Sequence, residues 1–162
     1  NSLLLATSNR SESALGYATI DGDTSGSISP LSGIDKQFIR QWLIWAEKEL
    51  SYTALKFVNN LQPSAELRPL SQTQTDEEDL MPYDVLNRIE NLAIRDRKSR
   101  EEVESILIEE VGEKAKIYID KFFTLWQRNQ WKRERYAASF HIDEYSLDPK
   151  SWARFPILSG KY

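Results

Sequence analysis

The sequence contains no cysteine, which excludes disulfides and thiolate metal sites while leaving the cellular compartment open. It holds one histidine, His141. A lone histidine is more often packed or hydrogen-bonded than a base. No apolar run approaches the roughly 18 residues of a membrane span, and no signal peptide is visible. Neither charge sign dominates: 21 Lys and Arg against 25 Asp and Glu leave a net charge of −4, so bulk charge gives no footprint for nucleic acid. What remains is ordinary for a globular chain. It is 40% hydrophobic and 28% charged over 162 residues, enough for one domain with a real core. The chain begins at Asn1, not Met, and enters an apolar run almost at once, which reads as a piece of a longer protein.

The other segments are arranged around the stretch from Leu3 to Ala18. Leu3 to Ala6 reads as a buried strand running straight into a helix, with the polar cluster Thr7, Ser8 and Asn9 at the joint. In open α/β sheets, ligands bind at the carboxyl ends of strands, where helix N-termini offer free backbone N–H groups. Glu12, about one turn into that helix, brings a carboxylate to the same mouth. Two readings stay open: a ligand site, or an N-capped helix whose glutamate favours the positive end of its dipole.

Asp21 to Pro30 holds two glycines, two aspartates and several hydroxyls, and marks a loop. Ile28 to Leu31 suits a short strand. Asp35 is a good N-cap, and Phe38, Ile39, Trp42, Leu43, Trp45 and Ala46 recur at helical spacing. They predict an amphipathic helix over Asp35 to Leu50, with its tryptophans in core or interface. Lys36 lies in the first turn, where the dipole disfavours a cation. Either an anionic ligand lies nearby or the lysine is simply exposed. Ser51 is expected to cap a shorter helix to about Asn60, after which Pro63 and Pro69 exclude a continuous helix. Asp76, Glu77, Glu78 and Asp79 read as an acidic loop leading into a helix, with a metal site as the alternative. Pro82 suits the first position of a helix reaching about Ile94.

Ser99 and Glu102 form a capping box, with Val103, Ile106 and Leu107 as the apolar stripe behind it. Gly112 separates that helix from the last long one. There Ala115, Tyr118, Ile119, Phe122, Phe123 and Trp126 make a stripe for a core or a subunit interface. The end of this helix carries Lys121, Arg128, Lys132, Arg133 and Arg135. They are either cations favoured by the dipole or a site for a phosphate or carboxylate. Tyr136 to Tyr162 is too aromatic for a disordered tail and is expected to pack.

Five blocks in order carry a resemblance: Thr7-Ser8-Asn9-Arg10-Ser11-Glu12; Gly16-Tyr17-Ala18-Thr19 with Gly22-Asp23; Pro63-Ser64-Ala65-Glu66-Leu67; Gln74 to Leu80 with Pro82-Tyr83-Asp84; and Lys132-Arg133. Together they resemble the second half of an NAD(+) synthetase. Ser139-Phe140-His141, Tyr145-Ser146 and Arg154-Phe155-Pro156 are similar to the closing segment of the glutamine-dependent, two-domain branch. The fold implied is α/β: a partial doubly wound, Rossmann-like domain of the adenine-nucleotide-hydrolase type. Residues 1–162 would be the C-terminal part of that domain, mostly helical, with the last one or two parallel strands. The activity implied is an ATP-dependent ligase. It adenylylates the nicotinate carboxylate of deamido-NAD in the presence of Mg²⁺, and ammonia then displaces AMP. The resemblance further implies ammonia from a glutamine amidase domain, a homo-oligomer built on a dimer, a cytoplasmic location, and neither nucleic acid nor membrane as partner.

The resemblance assigns Thr7, Lys36 and Ser64 to ATP, Glu12 to the metal, and Lys132 with the preceding Trp131 to deamido-NAD. It assigns no protein nucleophile. Ile20 and Ser27 stand where some single-domain members carry a lysine and an aspartate that contact the dinucleotide, so those contacts are not carried over. The family's Ser-Gly-Gly phosphate-binding motif is absent from these residues, so the chain alone is expected to be inactive. A non-catalytic helical interaction domain, or another ATP-pyrophosphatase relative, stands as the alternative.

Overall fold

In a computed structural model, residues 1–64 and 75–154 are described. Helix α1 (Arg10–Leu15) begins at a complete capping box. Asn9 Oδ1 accepts from the Glu12 N–H at 3.1 Å, and Glu12 Oε2 accepts from the Asn9 N–H at 3.2 Å. The helix stops at Gly16, whose φ of +62° is a left-handed conformation that glycine adopts without strain. A side chain there would also strike Asn129, since an added Cβ would lie 2.3 Å from the Asn129 Cβ.

Strand β1 (Ile28–Ser29) pairs in parallel with β2 (Ala138–Ser139), Ile28 opposite Ala138. Leu5 adds a parallel bridge to Ile28. Helix α2 (Lys36–Glu49) is capped by Asp35, whose Oδ1 accepts from the Phe38 N–H at 2.7 Å. The short helices α3 (Leu55–Asn59) and α4 (Asp76–Asp79) follow, then α5 (Tyr83–Glu90), which runs into a π-helical turn over Asn91–Arg95. Helix α6 (Arg100–Val111) carries the expected Ser99–Glu102 capping box. A 3₁₀ turn beginning at Gly112 separates it from α7 (Ala115–Arg128), and α8 (Gln130–Arg133) completes the order.

The core lies where α1, α5, α6 and α7 meet. Leu15, Leu86, Ile89, Val103, Leu107, Ile119 and Phe122 are buried in it. Burying a side chain of this size contributes about 1.5–3 kcal/mol. Phe122 also stacks on Trp126 at 6.0 Å and meets Phe123 edge-on at 5.3 Å. The stripe read on α7 is therefore core.

Several expectations are corrected. Leu3, Leu4 and Leu5 are 64%, 61% and 52% exposed, and only Ala6 of that run is buried. The segment makes one strand-like bridge, and among the described residues nothing covers its leucines. Trp42 and Trp45 are likewise about half exposed, so they do not belong to this chain's core. Ser51 does not cap α3. Its φ is +56°, whereas an N-cap needs extended backbone, and the helix begins only at Leu55 without a side-chain cap. The acidic run is a helical turn, not a loop. Thr75 Oγ1 accepts from the Glu78 N–H at 3.2 Å and Glu78 Oε2 accepts from the Thr75 N–H at 3.3 Å, with four carboxylates at the positive end of the turn. Pro82 is the cap residue itself, and Tyr83 is the first helical position. The tail does pack as far as it is described, with Ser146, Leu147 and Ala153 buried. His141 is exposed and meets Trp152 edge-on at 5.1 Å. The blocks Ala65-Glu66-Leu67 and Phe155-Pro156, together with Pro69 and Gln74, lie outside the described residues.

Candidate functional site

A cavity of about 900 Å³ opens between the start of α1, the turn from Gly16 to Thr19, α2, and the segment leaving α3. That volume is at the upper end of the roughly 300–1,000 Å³ of small-molecule sites. Thr7, Glu12, Lys36, Ser64 and Lys132 all line it. Trp131 does not. Its ring is 40% exposed, and its centroid lies 6.0 Å from Lys132 Nζ.

One wall is charged. Lys36 Nζ lies 2.8 Å from Glu12 Oε1 and 3.9 Å from Asp76 Oδ2. Asp76 is buried. Its Oδ2 accepts from the Tyr83 hydroxyl at 3.0 Å, while Oδ1 has no hydrogen-bond partner among the described residues. Burial, with the Asp76 charge beside it, pushes the Tyr83 hydroxyl well above its ordinary range, so Tyr83 is a neutral donor. The Asp76 N–H donates to the Pro63 carbonyl at 3.1 Å, which ties the segment carrying Ser64 to α4. The rest of the acidic run is spent locally. Glu77 accepts from the Tyr83 N–H at 3.0 Å, Glu78 closes its capping box, and Asp79 accepts from the Tyr17 hydroxyl at 3.0 Å. Among the described residues no group of three or more His, Asp or Glu side chains is placed to hold a metal ion.

The basic end of α7 and α8 serves a helix other than its own. Lys132 Nζ donates to the carbonyls of Gly16 at 2.8 Å and Ala18 at 2.9 Å. Arg133 Nη1 donates to the Ala14 carbonyl at 2.7 Å, and Asn129 Nδ2 to the Leu15 carbonyl at 2.6 Å. The Ala14, Leu15 and Gly16 carbonyls are ones that the end of α1 leaves without helical partners, and Ala18 lies in the turn that follows. Burial, and then the nearby charge of Arg128, lower the pKa of Lys132. Lys121 similarly donates to the carbonyls of Asp79 and Leu80, both at 3.0 Å. Both open readings of this basic cluster therefore need amending: Lys132 and Arg133 meet the end of α1, Lys121 meets that of α4, Arg135 pairs with Asp21, and only Lys132 of the cluster reaches the cavity.

Another part of the lining is apolar, built from Leu43, Ile44, Val58 and Leu61. Asn59 Nδ2 holds it together, donating to the Leu43 carbonyl at 3.3 Å and to Glu47 Oε2 at 2.7 Å. Two charged lining residues carried no ligand assignment from the sequence, Asp23 and Arg40, and Asp76 entered only as part of the acidic run. Arg40 carried a usable signal, since it follows Lys36 by four positions and so shares its helix face. Asp76 could not be told from its three acidic neighbours without knowing where the turn points.

The family model for NAD synthase matches residues 1–136. The chain is similar to the glutamine-dependent NAD(+) synthetase of Xylella fastidiosa, at 35% identity over 159 residues, covering 98% of this chain and 27% of that protein. It is similar to the protein of the same name from Aquifex aeolicus, at 35% identity over 157 residues, covering 97% of this chain and 26% of that protein. Among solved structures it is similar to a glutamine-dependent NAD(+) synthetase from Cytophaga hutchinsonii. The TM-score is 0.81 and the identity 50%, over 98% of this chain and 24% of that one. The chain thus spans about a quarter of the length of the relatives it matches.

Proposed function

Because this chain belongs to the NAD synthase family, we propose that it is the C-terminal part of the synthetase domain of a glutamine-dependent NAD(+) synthetase. That domain is doubly wound and Rossmann-like, of the adenine-nucleotide-hydrolase type. The observation that carries the reading is the convergence of Thr7, Glu12, Lys36, Ser64 and Lys132, from separate parts of the chain, on one cavity.

The reaction joins three reactants in two displacements. A carboxylate oxygen of deamido-NAD attacks the α-phosphorus of ATP and pyrophosphate leaves. Ammonia then attacks the activated carbonyl carbon and AMP leaves. Neither step needs a protein nucleophile. Both need anionic groups held close together against their own repulsion. Lys36 supplies an ammonium already oriented by Glu12 and Asp76, so little reorganisation accompanies phosphate binding. Thr7 and Ser64 supply hydroxyl donors to ATP. Lys132 has two of its three protons committed to carbonyls, which aims the third at deamido-NAD. Trp131 offers an exposed ring beside it. The apolar wall suits an aromatic ring of the nucleotide.

Glu12 fits a role in holding Mg²⁺. Each of its oxygens has one partner in the chain and a second lone pair free, and Mg²⁺ takes one or two carboxylates beside phosphate oxygens and water. When bound, Mg²⁺ supplies neutralisation of the phosphate charge. In the same reading ammonia comes from a glutamine amidase domain, the assembly is a homo-oligomer built on a dimer, and the location is cytoplasmic.

The test uses protein expressed from the complete gene, given deamido-NAD, ATP, Mg²⁺ and either glutamine or ammonium. NAD, AMP and pyrophosphate are expected in equal amounts. No NAD from either nitrogen source overturns the reading and favours a helical interaction domain.

A further inference from the structure

We infer that Arg40 is a further anion-binding residue of the cavity, and that its ligand is a polyphosphate: the triphosphate of ATP or the pyrophosphate released from it. The inference rests on the reading that this cavity takes ATP.

Among the described residues three cations line the cavity, Lys36, Arg40 and Lys132. The first is compensated by Glu12 at 2.8 Å and by Asp76 at 3.9 Å. The third spends two of its donors on the Gly16 and Ala18 carbonyls. Arg40 makes no hydrogen bond and no ion pair among the described residues. Its guanidinium carbon lies 5.5 Å from the centroid of the Tyr83 ring, and the Tyr83 hydroxyl is fixed by Asp76 at 3.0 Å. An aromatic ring therefore steadies the Arg40 charge while its five N–H donors stay unspent.

Charge balance points the same way. Among the described residues the lining carboxylates are Glu12, Asp23 and Asp76, equal in number to the cations. Without Arg40 this described lining is net negative, which repels a triphosphate. Spacing selects the class of anion. Arg40 follows Lys36 by four residues on one helix face, so the two side chains spring from positions about one turn apart, ~6 Å along the axis. Two cations so placed suit linked phosphates better than a single carboxylate, and a guanidinium fork can engage phosphate oxygens in pairs.

The experiment compares wild type with Arg40→Met and Arg40→Lys, all expressed from the complete gene. The Met variant keeps an unbranched stem against Tyr83 and removes the donors. Calorimetry is run with magnesium pyrophosphate, with ATP and with deamido-NAD. Arg40→Met is expected to weaken pyrophosphate and ATP about ten- to a hundredfold, to leave deamido-NAD affinity and Tm near wild type, and to flatten the salt dependence of pyrophosphate binding. Arg40→Lys is expected to recover part of the loss. Unchanged pyrophosphate and ATP affinities in Arg40→Met overturn the inference. An equal loss for deamido-NAD together with a lowered Tm also overturns it, leaving Arg40 as a support for Tyr83. Should the Met variant not fold, Arg40→Gln carries the same comparison. Wild-type protein that binds neither ATP nor pyrophosphate overturns the cavity reading along with the inference. A wild type that binds both beside an indifferent Arg40 variant overturns the inference alone.

Discussion

Lys36 Nζ lies 2.8 Å from Glu12 Oε1, although the two residues stand in the first turns of different helices and 24 positions apart. Each accounts for an oddity of the other. A cation in the first turn of α2 is unfavourable against that helix's dipole, and the Glu12 carboxylate offsets it from across the cavity mouth. The anion expected near Lys36 is thus, in part, the chain's own. Glu12→Gln separates the roles. Glutamine preserves the capping box, so only the partly exposed ion pair is lost and stability should fall by about 0.2–1 kcal/mol. In the complete protein, however, Mg²⁺-dependent NAD formation should fall by about tenfold or more, because even outer-shell losses at metal sites cost about 10–100-fold. A Mg²⁺ titration of the rate and a urea midpoint measure the two effects. Wild-type Mg²⁺ dependence and rate would leave Glu12 as a partner of Lys36 and a capping residue only.

Lys132 is expected to show two losses at once. Lys132→Ala removes donors from the Gly16 and Ala18 carbonyls, so the turn that forms one rim of the cavity loosens and stability drops by about 1–2 kcal/mol. On the proposed reading it also removes a charge-assisted contact to deamido-NAD worth about 1.5–3 kcal/mol, which should raise the KM for deamido-NAD more than it lowers kcat. Steady-state kinetics with each substrate varied in turn provide the check. A stability loss with an unchanged KM for deamido-NAD would make Lys132 a cap on α1 alone.

The helices that carry the site were legible because their signals are local. Asp35 ahead of an apolar stripe, and Ser99 three residues before Glu102, each fix a helix start by a hydrogen bond within a few positions. The capping box at Asn9 and Glu12 is of the same kind. What stayed hidden depends on distant groups. The apolar run Leu3 to Leu5 has the composition of a buried strand, but burial needs a neighbour on each face, and among the described residues its strand pairing is one bridge to Ile28. Ser51 has the chemistry of a cap but a backbone in the left-handed region, set by the turn that ends α2. Arg133 and Lys132 read as the end of their own helix. They instead bond carbonyls more than 110 residues earlier in the chain. Trp131, assigned beside Lys132 by resemblance alone, stays off the cavity because consecutive helical residues do not share a face.

Residues 1–162 by themselves are expected to make no NAD. They contain the proposed ATP side of the site but not the Ser-Gly-Gly phosphate-binding motif, and phosphoryl chemistry of this kind depends on donors arranged around the reacting phosphate. Incubation with deamido-NAD, ATP, Mg²⁺ and ammonium, followed by chromatography for NAD, gives the answer. Turnover by these residues alone would mean that the phosphate cradle is already present within them.

Arg10 and Glu90 give the last prediction. Arg10 Nε donates to Glu90 Oε2 at 3.1 Å, with side-chain exposures of 4% and 0%. Its Nη2 reaches Asp35 at 3.2 Å, its Nη1 the Gly33 carbonyl at 3.3 Å, and its guanidinium carbon lies 4.3 Å from the Tyr145 ring centroid. One side chain thereby joins the start of α1, the cap of α2 and the end of α5, which sets Thr7 and Lys36 in register. Among the described residues Glu90 Oε1 has no hydrogen-bond partner. Burial raises the Glu90 pKa, and this outweighs the lowering by the Arg10 charge, by the neighbouring Ser11 hydroxyl and by the Arg10 hydrogen bond. An unfolded glutamate ionises near pH ~4.3. Between that value and the higher folded one, the folded state holds more protons than the unfolded state, so stability falls as pH rises through the window and levels off above it. Glu90→Gln keeps an acceptor for Arg10 without titrating. Urea unfolding across this range should therefore show the variant gaining on wild type as pH rises. If the gap stays constant, or wild type gains instead, the Arg10 charge governs Glu90 and burial does not.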